Sequence, residues 1–313
     1  MLTAAPVAPA PSTSVLRAVW TSLRPHQWTK NLVVFAALAL SKHLFEPDPL
    51  GRSVLAFVLF CALSGTVYLL NDVADFERDR LHPVKRQRPI ARGALPRRPA
   101  ALLAVGLAFA SAGTSMLLGP LFAACAVAYL VLNLLYSFYL KDSVILDVLC
   151  ISLGFVLRAV AGAVAISVVI SEWLLVCTLL LALFLALAKR RHELVTLNAG
   201  ASGHRKALSE YSPYLLDQMI SVVTASTLTA YMFYTMAPDT VAKYRTDRLA
   251  WTIPFVLYGI FRYLYLVHQK EQGGSPTDIL ITDRPLLVTV ALWAAAIVLI
   301  VYTAAGAPMP LAR

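Results

Sequence analysis

Long apolar runs separated by short polar breaks dominate the chain. LAFVLFCALSGTVYLL, residues 55–70, carries no charge at all. A helix needs about 20 mostly apolar residues to cross a bilayer. Nine stretches meet or approach that length, near residues 28–46, 52–71, 100–118, 120–140, 144–164, 172–190, 219–237, 251–268 and 286–305. The pattern therefore predicts an all-α fold, a polytopic bundle of nine transmembrane helices. The stretch at 28–46 begins with polar residues and has the least clean apolar run.

Composition supports a membrane rather than a soluble chain. Of 313 residues, 59% are hydrophobic and 14% charged, against about a quarter charged in a soluble domain. The charge is also lopsided. If the N-terminus lies inside, twenty of the 27 lysines and arginines fall in loops on one side and six on the other, with Arg158 inside a span. Positive loops mark the cytoplasmic side, so the N-terminus is expected in the cytoplasm and the C-terminus outside. Such a basic face suits anionic lipid headgroups; nucleic acid is not an expected partner.

Residues 1–20 open with MLTAAPVAPAPSTS and read as a disordered tail, with no removable signal peptide expected. Residues 21–308 are expected to form one catalytic domain with cytoplasmic loops 72–99, 189–217 and 268–285, followed by a tail at 309–313. Cys61, Cys125, Cys150 and Cys177 lie inside spans without metal-ligand spacing and read as buried thiols. No nucleophile elbow, P-loop or dinucleotide fingerprint is present.

The chemistry concentrates where the second span ends, in NDVADFERDRLHPVKRQRPI, residues 71–90. Asp72, Asp75 and Asp79 share one face if the helix continues, and Asn71 precedes them. Carboxylates so placed repel each other unless a cation intervenes. Oxygen-only ligands suit Mg²⁺, commonly held by one or two carboxylates plus substrate phosphates. The following cations, Arg78, Lys85, Arg86 and Arg88 among them, suit phosphate oxygens. A solvated loop of mixed charge is the bland alternative.

The pattern N-D-x-x-D-x-x-x-D followed by K-R-x-R-P-I-x-x-G resembles the first signature of the UbiA superfamily of intramembrane prenyltransferases, here Asn71, Asp72, Asp75 and Asp79, then Lys85, Arg86, Arg88, Pro89, Ile90 and Gly93. The resemblance implies a nine-helix bundle in which Mg²⁺ on the aspartates binds a substrate diphosphate. Members that prenylate aromatics carry a second acidic motif near the sixth span. This chain has LFLALAKRRHEL there, with Lys189 and Arg190 offered to a directly contacted phosphate and Glu193 to a ribose hydroxyl or to Lys189. Arg191 and His192 read as the positive flank of a helix.

RPHQWTKNLVVFA, YSFYLKDSVILDV, GFVLRAVAGAVA and GGSPTDILITDRPLL resemble the phosphoribosyltransferase branch of that superfamily, a group of bacterial cell-envelope enzymes. The branch implies transfer of phosphoribose from 5-phosphoribosyl 1-diphosphate to a polyprenyl (decaprenyl) monophosphate at the cytoplasmic face of the inner membrane, giving a precursor of cell-wall arabinan. On that reading Asp72, Asp75, Asp79 and Lys189 are catalytic, and Asn71 joins the aspartates on the metal. A small homo-oligomer is compatible with the sequence, with no residue arguing for it.

Several polar residues remain with two readings each. Lys30 in WTKN is a snorkelling anchor or a phosphate ligand. Tyr139, Lys141 and Asp142 form an interface belt or contact substrate. Asp147 and Arg158, eleven residues and roughly 16 Å apart, share a face of the fifth span but are too distant to pair. An ionisable residue inside a span is a functional candidate, so Arg158 is expected to receive a phosphate or to hold helices together. Asp283 is expected to cap the last span, and His204, Arg205 and Lys206 to form a solvated loop. The rival functions are prenyl transfer to an aromatic acceptor and, from a different class, anion transport; the missing acidic motif and the charges gathered at one face oppose them.

Overall fold

The computed structural model of the chain describes residues 14–82, 84–197, 206–270 and 274–304. All regular structure among these residues is helical. Eight helical stretches are long and apolar enough to cross a membrane: 47–74, 97–118, 120–138, 146–165, 172–196, 213–236, 248–269 and 284–303. They match eight of the nine expected spans to within a few residues.

The stretch expected as the first span differs. After a short helix α1 (Val15–Ser22), residues Pro25–Phe35 form a 3₁₀-helix and Ala36–Leu40 a short α2. Runs of 3₁₀-helix longer than 3–4 residues are uncommon. At about 2.0 Å per residue in the 3₁₀ part and about 1.5 Å in α2, the stretch reaches about 30 Å if straight. That is the thickness of a hydrocarbon core, reached with fewer residues than an α-helix needs. α1 itself begins inside the stretch expected as a tail: Ser14 caps it by accepting the Arg17 N–H at 3.3 Å, and Ala18 is buried. Residues 1–13, 198–205 and 305–313 lie outside the described residues, and with them most of the expected N-terminal tail, His204, Arg205 and the C-terminal tail.

The chain divides into two compact units, residues 1–28 with 61–111, and residues 29–60 with 112–313. The first unit contains α1, the end of α3 (Pro47–Ala74), α4 (Phe76–Leu81), a 3₁₀ turn at Lys85–Gln87 and most of α5 (Arg97–Ser115). Its core joins Ala18, Leu69, Ile90, Leu95, Ala100 and Ala104. Gly65 lets α1 come close, because a Cβ there would lie 2.7 Å from Leu23 Cδ2.

The second unit holds α6 (Pro120–Phe138), α7 (Leu146–Ala165), α8 (Glu172–Leu197), α9 (Lys206–Ser209), α10 (Pro213–Met236), α11 (Pro238–Tyr244), α12 (Ile253–Gln269), α13 (Pro276–Thr282) and α14 (Arg284–Thr303). α8 packs between α7 and α10, and Phe184, Leu187, Leu216, Ile220 and Tyr263 bury their side chains together. The 3₁₀ segment lies against α7, where a Cβ at Gly162 would stand 2.1 Å from the Val34 carbonyl oxygen. Large apolar side chains such as Val288, Leu292 and Leu299 on α14 are more than half exposed, as expected of a helix face turned to lipid. At the other end, Arg52 donates to the Ala165 carbonyl at 2.6 Å, satisfying an orphan acceptor at the end of α7.

Candidate active site

In the first unit, α3 stops at Ala74 and α4 starts at Phe76, yet helical spacing carries across the break. Asp75 N–H donates to Asn71 O, and Asp79 N–H to Asp75 O, both at 2.8 Å. Asp72 and Asp79 therefore stand two turns apart on one face, each only 2% exposed. Buried carboxylates need partners, and two arginines supply them. Arg88 Nη1 donates to Asp79 Oδ2 at 2.6 Å and to Asp72 Oδ1 at 3.0 Å. Arg24 Nη2 donates to the same Asp72 Oδ1 at 2.5 Å, with its guanidinium 4.7 Å over the Tyr68 ring.

The loop that delivers Arg88 is closed by Gly93, whose φ of +80° suits glycine, and is anchored by buried Ile90. Asp75 is set apart: its side chain is about a third exposed, with Arg78 Nη1 3.9 Å away. Arg78, Lys85 and Arg86 are exposed. The structure thus brings together two of the three aspartates with Arg88, and adds Arg24, which the sequence reading did not single out.

One positive centre, Arg88 Nη1, sits between two carboxylate oxygens. A cation shared by those oxygens fits the donor set of a magnesium ion held by two carboxylates and completed by phosphate oxygens. Among the described residues no group of three His, Cys, Asp or Glu side chains gathers as a metal cage, so the substrate would supply further ligands.

In the second unit a separate polar cluster forms where α6, α7 and α8 meet. Asp147, in the first turn of α7, is 1% exposed and Arg190 of α8 is 2% exposed. Arg190 Nε donates to Asp147 Oδ2 at 2.7 Å, its Nη2 to Tyr136 Oη at 3.2 Å, and its Nη1 to Glu193. Lys189 Nζ lies 3.7 Å from Glu193 Oε1 and is more open. Tyr211 completes the cluster by donating to Asp147 Oδ1 at 2.9 Å. Arg190 is thus committed to protein partners, while the Lys189 side chain is about two-fifths exposed. Arg191 pairs with Asp217, which also meets His268 Nε2 at 3.2 Å.

Of the turn residues, Tyr139 is 72% exposed, whereas Tyr136 joins the cluster. Lys141 and Asp142 lie in a 3₁₀ turn, Leu140–Asp142, that precedes α7. Arg158 is buried elsewhere. It donates to Asn31 Oδ1 at 2.7 Å, to the Gly154 carbonyl at 2.9 Å and to Tyr129 Oη at 2.7 Å, all neutral acceptors. The polar demand of WTKN therefore falls on Asn31, fully buried, and less on partly exposed Lys30. Asp283 caps α14 through the Leu286 N–H at 2.9 Å and pairs with Arg262. Hydrogen bonds from Arg262 hold its carboxyl below the ordinary carboxylate range.

An all-helical, membrane-spanning chain with buried aspartates where a long helix ends and a basic loop after it defines an integral-membrane protein with a charged site at a helix end. Residues 31–280 match the UbiA prenyltransferase family, and the chain belongs to that family. It is 35% identical to a decaprenyl-phosphate phosphoribosyltransferase of Corynebacterium glutamicum over 289 residues, 90% of this chain and 86% of that protein. The corresponding figures for a protein of the same name in Mycolicibacterium smegmatis are 33%, 90% and 92%. The fold is similar to that of a UbiA homologue from Archaeoglobus fulgidus bound to GPP and Mg²⁺, with a TM-score of 0.71 at 18% identity, covering 91% of this chain and 99% of the other.

Proposed function

We propose that the chain transfers the 5-phosphoribosyl group from 5-phosphoribosyl 1-diphosphate to decaprenyl phosphate, or a similar polyprenyl monophosphate, at the cytoplasmic face of a bacterial inner membrane. The observation that carries this reading is 33–35% identity along nine-tenths of the chain to proteins named for that activity. The cationic KRRHE at 189–193, where aromatic prenyltransferases of the family are acidic, agrees with it. On this reading the Pro25–Leu40 stretch is the ninth crossing and the N-terminus is cytoplasmic.

Asp72 and Asp79, with Asp75 and Asn71 at their side, would hold Mg²⁺. When bound, that ion neutralises charge developing on the leaving diphosphate. Arg24 and Arg88, displaced from the carboxylates, become donors for phosphate oxygens, with Arg78 on α4 and Lys85 and Arg86 on the loop that carries Arg88. In the second unit Lys189, Lys141 and Lys30 are the proposed phosphate contacts, with Tyr139 and Asp142 beside Lys141. Arg190 and Glu193 set the position of Lys189, and Arg158 braces the bundle. A phosphate oxygen of the acceptor attacks ribose C1 while the C1–oxygen bond to diphosphate breaks, so configuration at C1 inverts. The acceptor is already anionic near neutral pH, since the second pKa of a phosphate monoester is about 6. A strong general base is therefore not required. Lipid-facing apolar surface accommodates the prenyl tail.

The test supplies radiolabelled 5-phosphoribosyl 1-diphosphate, Mg²⁺ and decaprenyl phosphate to the purified protein and follows label into organic solvent. Label should enter the lipid phase and be abolished by EDTA and by Asp72→Ala. Consumption of a prenyl diphosphate with an aromatic acceptor, and no phosphoribosyl transfer, would overturn the reading in favour of prenyl transfer.

A further inference from the structure

The turn that leads into α7 is strained. Ile145 has φ +69° and ψ −46°, and the Leu146 N–H donates to the Val144 carbonyl at 2.8 Å. This is a three-residue γ-turn of the positive-φ kind, which is rare and strained, and positive φ in a β-branched residue is an outlier. Such conformations persist where their surroundings over-determine them, and they gather at functional sites.

Tyr211 is what over-determines this one. Its hydroxyl accepts the Ile145 N–H at 2.7 Å and donates to Asp147 Oδ1 at 2.9 Å. Burial pushes that hydroxyl up to about 12, so it stays protonated and able to donate at any working pH. The other oxygen of Asp147 holds Arg190, which holds Glu193 and Tyr136. One phenol therefore links the γ-turn to the cationic turn of α8. The turn at Leu140–Asp142 lies just before the γ-turn, and α9, shortly before Tyr211, packs against it with Ala207 and Leu208 buried.

We propose that Tyr211 is a positioning residue for 5-phosphoribosyl 1-diphosphate: by fixing the γ-turn at Ile145 it sets the Leu140–Asp142 turn, and hence Lys141, in place relative to Lys189. This rests on the phosphoribosyl-transfer reading. The strain explains why a tether is needed, because the turn would relax toward ordinary negative φ without it. It also identifies a rescue. Glycine adopts positive φ without steric conflict, so Ile145→Gly removes the demand that Tyr211 meets.

The experiment compares full-length wild type, Tyr211→Phe, Ile145→Gly and the double variant, reconstituted in nanodiscs. Amide exchange is followed over residues 140–149, and KM and kcat for transfer are measured. Tyr211→Phe should speed exchange in that segment and raise KM for 5-phosphoribosyl 1-diphosphate about tenfold, the size expected for the loss of about one hydrogen bond's net contribution. kcat should change little, and the double variant should recover most of the KM. If Tyr211→Phe does not fold, the double variant decides alone: near-wild-type KM supports the proposal and a raised KM overturns it. Unchanged exchange, faster exchange with unchanged KM, or a loss of activity that follows only the folded fraction would each overturn it. Absence of transfer by wild type would sink the functional reading instead, and the exchange data would still report on the tether.

Discussion

Arg88 and Asp79 share a 2.6 Å ion pair, and the nitrogen that makes it also reaches Asp72 at 3.0 Å. With Arg24 on Asp72 at 2.5 Å, two buried carboxylates face two guanidiniums. On the proposed reading a divalent ion and an arginine would compete for the same oxygens. Diphosphate removes the conflict by giving the arginines new acceptors, so metal and diphosphate should bind cooperatively.

Removing one competitor separates the two effects. Arg24→Gln should bind Mn²⁺ alone more tightly than wild type, by about tenfold if the coupling is of ordinary size, while transfer falls. Mn²⁺ binding read by paramagnetic resonance in the absence of substrate checks this. Unchanged or weaker binding would mean that Arg24 orders Asp72 for the metal and does not compete with it.

Arg158 makes the opposite kind of prediction. Its three hydrogen bonds go to neutral acceptors in a buried setting, and its ring contacts to Tyr129 and Phe155 leave it well packed. Arg158→Ala should lower stability by about 2–4 kcal/mol, since it strands several buried acceptors, with transfer per folded molecule retained. Thermal unfolding in detergent, alongside activity normalised to folded protein, distinguishes the cases. A stable Arg158→Lys variant devoid of transfer would restore the phosphate-binding role expected from the sequence.

The parts of this architecture legible in the sequence are those set by local spacing. Eight spans are visible because each needs only its own apolar run, and the Asp72–Asp79 face follows from helical periodicity. Partners far along the chain are not encoded that way. Arg24 meets Asp72 across 48 residues, Tyr211 meets Asp147 across 64, and Asn31 meets Arg158 across 127. In the sequence Tyr139 falls with Lys141 and Asp142 in the short loop after an apolar run. α6 ends at Phe138, so Tyr136, still on the helix, is the one carried to Arg190. The Pro25–Leu40 stretch is unlike an α-helix for a related reason: buried Asn31 is held by Arg158, and Gly162 admits the Val34 backbone, which local apolarity does not announce.

Gly162 gives a steric prediction. An added Cβ would meet backbone, the Val34 carbonyl, at 2.1 Å, and backbone cannot rotate away. Gly162→Ala should destabilise the protein by at least the ~1–3 kcal/mol usual for overpacking. Gly106→Ala, with nothing within 4 Å of its added Cβ, should be neutral or slightly stabilising because alanine favours helix. Equal unfolding temperatures for the two variants would show that the 3₁₀ segment does not press on α7.

Asp283 makes stability depend on pH. It accepts from Arg262 Nη2 at 2.9 Å and Nε at 3.2 Å and caps α14 through Leu286 N–H. Those hydrogen bonds hold its pKa below the ordinary carboxylate range. A carboxyl with a depressed folded-state pKa contributes stability that is complete above its unfolded pKa and is lost as pH falls through the folded value. Asp283→Asn retains a capping oxygen but forfeits the ion pair. Wild type should therefore melt above Asp283→Asn at neutral pH, and the gap should close on acidification through and below the ordinary carboxylate range of about 4. Melting curves of both proteins from pH 7 down to pH 3 test the sign. A gap that widens on acidification would mean that the aspartate is not held in its charged form by Arg262.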